Sequence, residues 1–125
     1  MPTTFCWSCY TQNDRPTGPC RECGREIAAP EGTSFETKLI WALRHPLRER
    51  RMVAARVLGE LHVAGAREPL RELATQVDDP YLAAAAVEAL VALDGADVHA
   101  DLLARLAHSG PAPARRVAQE LSSRR

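Results

Sequence analysis

Residues 86–90 read Ala86-Val87-Glu88-Ala89-Leu90, and similar five-residue stretches stand at 54–58 and 117–121. Each stretch ends in leucine, and the three leucines are separated by 32 and then 31 residues. Prolines, which break helices, recur at nearly the same interval, at Pro46, Pro80 and Pro111. A period in the thirties with helix-turn-helix content is typical of a solenoid. The period therefore predicts a mainly α-helical fold with three helix-turn-helix units.

Apolar residues at helical spacing, together with their flanking capping residues, predict six helices after the first 32 residues. Thr33-Ser34-Phe35-Glu36 is a capping box that starts the first helix, with Thr33 as the N-cap. Pro46 ends this helix, because proline disfavours helical backbone at and before its own position. The second helix is expected from about Leu47 to Ala64, with Gly65 as its stop.

The later helices have clearer boundaries. The third carries an apolar stripe at helical spacing, formed by Leu70, Leu73, Ala74 and Val77. Asp79 as N-cap and Pro80 at the first helical position start the fourth, which stops at Gly95. Asp97 is expected to cap the fifth helix, and the sixth follows Pro111.

This pattern resembles a HEAT-like repeat array in its short bacterial form, over about residues 33–121. The resemblance rests on the Asp79-Pro80 turn between helices, on an Ala-rich second helix in each unit, and on the Gly95-Ala96-Asp97 turn into the next repeat. The outer units differ, with His45-Pro46 in the first and Gly110-Pro111-Ala112-Pro113 in the last. The resemblance implies a short α-solenoid whose extended surface binds another protein. A six-helix bundle without solenoid geometry is the alternative.

All four cysteines lie in two CxxC pairs, Cys6-Trp7-Ser8-Cys9 and Cys20-Arg21-Glu22-Cys23. Two residues between thiols allow one tight turn to aim both sulfurs at a single ion, and two such turns supply the tetrahedral thiolate set that Zn²⁺ prefers. We therefore expect one structural Zn²⁺ with four protein ligands and no open position for catalysis; the expected ligands are Cys6, Cys9, Cys20 and Cys23. Iron in a rubredoxin-like site, disulfides and a redox CxxC are the alternatives.

The segment that contains these cysteines differs from the rest of the chain. It is rich in proline and glycine and has hardly any periodic apolar pattern, so metal must organise it. It resembles a short zinc ribbon, in which Gly24 after the second pair can adopt positive φ, while Tyr10 stands at the matching place after the first. We expect a four-cysteine zinc ribbon over residues 1–32 and the HEAT-like domain over residues 33–125.

Composition indicates the kind of protein and its cellular location. The formal net charge is zero, and 26% of the residues are charged. No apolar run approaches the roughly 20 residues of a membrane span, and the N-terminus has no signal-peptide pattern. These features favour a cytoplasmic protein without membrane contact, where thiols bind metal rather than pair. Lys38 is the only lysine, and this arginine bias resembles a GC-rich bacterial genome.

Charged residues occur in blocks, which are basic over residues 44–56, acidic over 78–101 and basic again from 102 onward. A segmented surface of this kind favours protein partners of matching charge. The candidate partner-binding residues are Arg44, Arg48, Arg51, Arg56, Trp7 and Tyr10. Solvated faces and ion pairs between repeats are the alternative explanation of the charges.

The sequence therefore predicts a non-catalytic adaptor that binds a partner protein, without indicating its oligomeric state. It has no GxSxG, no HExxH, no Gly-rich phosphate loop and no cysteine outside the two pairs. Its histidines, at positions 45, 62, 99 and 108, show no ligand spacing among themselves. The second hypothesis is a nucleic-acid- or ribosome-associated regulatory factor, in which Trp7 and Tyr10 stack on bases and the Arg44–Arg56 block supplies further contacts.

Overall fold

The computed structural model of the chain describes residues 3–75 and 78–123. Within these residues, two short antiparallel strands precede six α-helices, so the predicted mainly helical class is confirmed. The strands are β1 (Thr4–Phe5) and β2 (Gln12–Asn13). The helices are α1 (Phe35–Ala42), α2 (Arg48–Glu60), α3 (Arg67–Ala74), α4 (Pro80–Asp94), α5 (Ala100–Ser109) and α6 (Ala112–Ser123). A 3-10 turn, Ala64–Ala66, leads into α3.

The helices pack as successive pairs, α1 with α2, α3 with α4, and α5 with α6. The second members of these pairs also stack on one another, α2 on α4 and α4 on α6. One core cluster joins buried side chains from α2 to α6, whereas the cysteine segment has a separate small cluster, formed by Cys6, Cys20 and Ile27. Among the described residues, no helix has both the length and the apolar character needed to cross a bilayer.

Small residues allow α2 and α4 to approach closely. A Cβ atom added at Gly59 of α2 would lie 2.8 Å from the Cα atom of Ala89 in α4, well inside van der Waals contact. Both residues are buried, so this contact lies inside the core rather than at its edge. At this contact the backbones of α2 and α4 therefore pack directly against each other.

The predicted boundaries of α4 are confirmed. The side chain of Asp79 accepts a hydrogen bond from the Leu82 N–H at 3.1 Å, and Pro80 is the first helical residue. At the other end Gly95 adopts φ 89°, and its N–H donates to the carbonyl of Val91. These local interactions are the ones that the residue types favour at helix ends.

The predicted N-cap of α1 is wrong by one residue. Ser34, not Thr33, accepts a hydrogen bond from the Thr37 N–H, at 3.1 Å. The Thr33 hydroxyl instead donates to the Pro30 carbonyl at 2.6 Å, which ties it to the preceding turn. Val77, expected at the end of the apolar stripe in α3, lies outside the described residues.

Two further boundaries differ from those expected. α2 ends before Ala64, because His62 adopts φ 56°, a left-handed conformation that a helix cannot continue through. α5 begins at Ala100, beyond the expected cap at Asp97. His99, in the intervening turn, is 1% exposed and contacts Arg71 of α3 and Asp94 of α4. These contacts stabilise a turn at residues 96–99, where the sequence predicted the first turn of α5.

Candidate metal centre and the adjoining helical surface

The four cysteine side chains converge on one point, and their sulfur atoms all lie within 4.8 Å of one another. The Sγ atoms of Cys6 and Cys23 are 3.7 Å apart, and those of Cys9 and Cys20 are 3.6 Å apart. Four thiolates bound tetrahedrally at a Zn–S distance of about 2.3 Å stand about 3.8 Å from one another. The spacing of the sulfurs therefore fits a single tetrahedral metal ion, and it is far longer than a disulfide bond.

The two CxxC turns have the same backbone geometry. The Tyr10 N–H donates to the carbonyl of Cys6 at 2.9 Å, and the Gly24 N–H donates to the carbonyl of Cys20 at 3.0 Å. Tyr10 adopts φ 61° and Gly24 adopts φ 79°, so both residues that follow the pairs are left-handed. Tyr10 therefore forms the same turn as Gly24, although the left-handed conformation is unfavourable for a residue with a Cβ atom and not for glycine.

Backbone amides favour the ionised form of one ligand. The N–H groups of Cys23 and Glu22 lower the pKa of the Cys20 thiol to about 6. The Arg25 amide alone would lower the pKa of Cys23, but burial and the neighbouring sulfurs raise it to about 11. Four thiols this close resist full ionisation on their own, and a bound cation removes that resistance.

Asn13 also belongs to this centre, although the sequence did not indicate its role. It is 3% exposed, and its side-chain amide donates to the Cys20 sulfur, with Nδ2 and Sγ 3.6 Å apart. Its Oδ1 atom accepts from the Arg21 N–H at 3.1 Å, inside the second CxxC turn. The side chain thus links the β2 strand to the second pair of ligands. Only the hairpin register, which places Asn13 beside this turn, reveals the role.

Aromatic side chains join the cysteine segment to α1. The rings of Trp7 and Trp41 are 4.9 Å apart between centroids, and the Phe5 ring meets His45 edge-on at 4.5 Å. Tyr10 packs on His45 at 5.2 Å, and its hydroxyl donates to the Trp41 carbonyl. Trp7 and Tyr10, two of the candidate partner-binding residues, therefore face the helical part of the same chain.

The four candidate arginines do not share one surface. Arg48 donates to Asp79 with Nε and Oδ2 2.8 Å apart, and its guanidinium lies 5.5 Å from the centroid of the Tyr81 ring. Arg44 and Arg51 line a cavity between α1, α2 and α3. Arg56 lines a different groove, between α2 and α4. The basic block of the sequence is thus divided between an internal ion pair and two separate surfaces.

Comparison with known proteins agrees with the stacked helix pairs. The family model of HEAT repeats matches residues 36–122, which is more than half of the chain. The chain belongs to the HEAT-repeat family. HEAT repeats generally mediate contacts between proteins and are typically non-catalytic. No curated protein and no solved structure matches the chain.

Charged side chains connect successive helix pairs of this HEAT-repeat protein. The Asp94 carboxylate accepts two hydrogen bonds from Arg67, from Nε and Nη2, each at 2.7 Å. The Nε2 atom of His99 lies 2.7 Å from the same carboxylate, and the Nδ1 atom of His99 lies 2.7 Å from Nη1 of Arg71. Arg71 also reaches Asp101 at 3.1 Å. These five residues form one network, which we call the inter-repeat network.

The chemistry of the inter-repeat network determines the protonation of its members. A guanidinium only donates, so the Nδ1 atom of His99 accepts from Arg71, and the proton on Nε2 is donated to Asp94. Hydrogen bonds from Arg67 lower the pKa of Asp94 to about 2, against the opposing effect of burial and with further help from His99. The Asp94 side chain is 9% exposed, and both of its carboxylate oxygens are paired.

One signal in the sequence could have indicated these pairs. Arg48 and Asp79 are 31 residues apart, Arg71 and Asp101 are 30 apart, and each of these two pairs joins successive helix pairs. These separations lie close to the repeat period, so opposite charges offset by one repeat are candidates for contact. This confirms ion pairing between repeats for part of the acidic and basic blocks.

Proposed function

We propose that this HEAT-repeat protein is a non-catalytic adaptor that binds a partner protein through its helices, residues 33–125. Its six helices would form three repeats, since they pack as three pairs with stacked second members. The general role of HEAT repeats in protein contacts supports this proposal. Repeat arrays also suit it physically, because stacked helices present an extended and rigid surface.

We further propose that residues 1–32 form a zinc ribbon around one structural Zn²⁺. The ion would be held by the four thiolates of the cysteine pairs, Cys6, Cys9, Cys20 and Cys23. Sulfur ligands in a tetrahedral arrangement are typical of Zn²⁺, and four protein ligands leave no position for substrate. Binding requires reduced thiols, which is consistent with a bacterial cytoplasm as the proposed setting.

The observation that carries the adaptor role is the division of the arginines into paired and unpaired groups. Arg48 and Arg71 form ion pairs between helix pairs, and Arg67 forms one within the pair of α3 and α4. Within residues 3–75 and 78–123, Arg44 and Arg56 form no ion pair and are exposed. Arginine is enriched where proteins meet, because the guanidinium combines charge with apolar faces, and an unpaired guanidinium is available to a partner.

No observation favours the nucleic-acid hypothesis. It uses the Trp7 and Tyr10 rings for stacking on bases, and these rings pack on Trp41 and His45 instead. The Arg44–Arg56 block, which it uses for phosphates, is divided between separate surfaces. A nucleic-acid complex would also show affinity that falls steeply with salt.

The test begins with a tagged chain, purified from its source cells together with any protein present in stoichiometric amount. The complex is then rebuilt from pure components, and its Kd is measured by calorimetry. We expect Arg44→Gln or Arg56→Gln to weaken binding by about tenfold, since either removes a charge that faces the partner.

Arg48→Gln is the matched control, because it makes the same change in charge at a guanidinium already engaged by Asp79. Unchanged affinity in both the Arg44 and Arg56 variants would contradict the proposal that these two exposed arginines contact the partner. A chain that binds no protein but binds RNA or DNA, with a steep salt dependence, would overturn the adaptor role itself.

A further inference from the structure

Asn13 places a hydrogen-bond donor against one of the four cysteine sulfurs. Asn13 is 3% exposed, and its Nδ2 atom lies 3.6 Å from the Sγ atom of Cys20, which is also buried. Nδ2 donates as well to the Thr11 carbonyl at 3.0 Å, and Oδ1 accepts from the Arg21 N–H at 3.1 Å. Both polar atoms of this side chain therefore have partners in the hairpin and in the second CxxC turn.

The three contacts fix the orientation of the Asn13 amide. The Thr11 carbonyl and a Cys20 thiolate can only accept hydrogen bonds, whereas the Arg21 N–H can only donate. A reversed amide would place Oδ1 against two acceptors and Nδ2 against a donor, so all three hydrogen bonds would be lost. The amide N–H group must therefore face the sulfur. Aspartate has the same shape but no donor, so it cannot make this contact.

The contact matters because a four-cysteine centre carries excess negative charge. Four thiolates around one divalent cation leave two uncompensated negative charges, and buried charge requires hydrogen-bond donors. Cys9 and Cys23 are exposed, so water can solvate their sulfurs, whereas Cys6 and Cys20 are buried. At Cys20 the protein supplies the donors itself, from the Glu22 N–H at 3.4 Å and from the Asn13 side chain.

We propose that Asn13 is a positioning residue of the metal centre, whose side-chain amide determines how tightly the cysteines hold their ion. Its N–H would stabilise the negative charge on Cys20 when the ion is bound, and its two backbone contacts would hold strand β2 against the second CxxC turn. Groups that orient and polarise metal ligands typically change metal affinity by roughly 10–100-fold. The inference rests on the proposed zinc site, since it concerns the affinity of that site.

Two substitutions separate the contact with sulfur from the contacts with backbone. Asn13→Ala removes all three hydrogen bonds, whereas Asn13→Asp keeps an acceptor for the Arg21 N–H but turns a negative charge toward Cys20. A purely structural role in the hairpin therefore predicts the larger loss for alanine, and a role at the sulfur predicts the larger loss for aspartate. Gln12→Glu is the matched control, because it makes the same amide-to-carboxylate change at an exposed neighbour that donates to Thr3 rather than to a sulfur.

The Kd for Zn²⁺ is measured on the full chain at neutral pH under reducing conditions, by competition with a chromophoric chelator. We expect Asn13→Ala to raise this Kd about tenfold and Asn13→Asp about a hundredfold, with Gln12→Glu within about twofold of wild type. In the Co²⁺-loaded chain, the sulfur-to-metal charge-transfer band should move to lower energy in Asn13→Ala, because a thiolate that accepts fewer hydrogen bonds gives up an electron more easily. Helical dichroism checks that the helices of each variant are folded.

Equal Kd values for wild type and both Asn13 variants would overturn the inference, although the zinc site would then stand. A larger loss in Asn13→Ala than in Asn13→Asp, or a charge-transfer band that does not move, would mean that Asn13 only links the hairpin to the turn, and would also overturn it. So would a loss in Gln12→Glu as large as that in Asn13→Asp. A wild-type chain that binds neither Zn²⁺ nor Co²⁺ would contradict the proposed zinc site itself, and the inference with it.

Discussion

Replacing Asp94 with asparagine should destabilise the helical repeats at neutral pH and should change their response to acid. Three N–H groups converge on the Asp94 carboxylate, two from Arg67 and one from His99, each at 2.7 Å. An amide of the same shape offers one acceptor oxygen in place of two and turns a donor toward its neighbours. The substitution thus leaves one of these N–H groups, either the buried His99 Nε2–H or a partly exposed Arg67 N–H, without an acceptor and does not change the packing volume.

The magnitude follows from the pKa of Asp94, which is about 2 in the folded chain against an ordinary value of 3.8. A difference of this size corresponds to about 2 kcal/mol of stability from the charged form. Because the folded pKa is the lower one, this contribution is complete above pH 3.8 and is lost as pH falls toward 2. We therefore expect Asp94→Asn to cost about 2–3 kcal/mol at pH 7.

The assay is urea unfolding followed by helical circular dichroism, with wild type and variant compared at the same pH. The difference between their free energies of unfolding should shrink by roughly 1 kcal/mol between pH 5 and pH 3, since only in wild type does the unfolded chain take up a proton at this position that the folded chain does not. Metal release at low pH affects both chains and cancels in the difference. Asp101→Asn is the matched control, because that carboxylate is 72% exposed although it also pairs with an arginine.

Two results would refute this reasoning. The first is a loss of stability for Asp94→Asn no greater than that for Asp101→Asn, which would mean that the contacts of Asp94 in the inter-repeat network add nothing beyond a surface pair. The second is a difference between wild type and Asp94→Asn that stays constant from pH 5 to pH 3, which would mean that the Asp94 pKa is not lowered by folding.

Chelation, or Cys20→Ser, should abolish binding of the proposed metal ion and amide dispersion in the cysteine segment, while helical dichroism largely persists because the two hydrophobic clusters are separate. A parallel collapse of helicity would contradict this. Gly59→Ala should lower the free energy of unfolding by about 1–3 kcal/mol, because its Cβ meets Ala89 at 2.8 Å; an unchanged or higher urea midpoint would show that α2 can shift. Asp79→Ala should cost about 1 kcal/mol through loss of the Leu82 N–H acceptor, and Asp79→Ser should recover most of it; equal urea midpoints for the two variants would exclude the capping role.

Features that depend on near neighbours in the chain could be predicted from the sequence. The start of α4 at Asp79 and Pro80 follows from residues within one turn, and the cysteine pairs converge because two-residue turns constrain them. The start of α1 was missed by one residue, because Thr33 and Ser34 are both good capping residues. Which of them capped the helix depended on the nearby Pro30 carbonyl.

The candidate site was less predictable. The four expected metal ligands do meet, but Asn13 joins them only through the register of the hairpin. Trp7 and Tyr10 were candidates for partner contact in the sequence, and the placement of α1 against them is what engages their rings. No spacing rule within a single helix brings His99 to Asp94 and Arg71, since those contacts cross from one repeat to the next.

The sequence by itself determined the helical class, the repeat period and the four cysteines that converge as a candidate metal centre, because each depends on spacings of a few residues or on a recurring interval. Only the tertiary structure decided which charges are paired inside the molecule. It paired Arg48 with Asp79 and left the buried Nε atom of Arg51 without a hydrogen-bond partner among the described residues, although both arginines lie on one helix. The physical reason is that the rotation of α2 and its distance from α1, α3 and α4 set each arginine's surroundings, and these depend on packing across repeats.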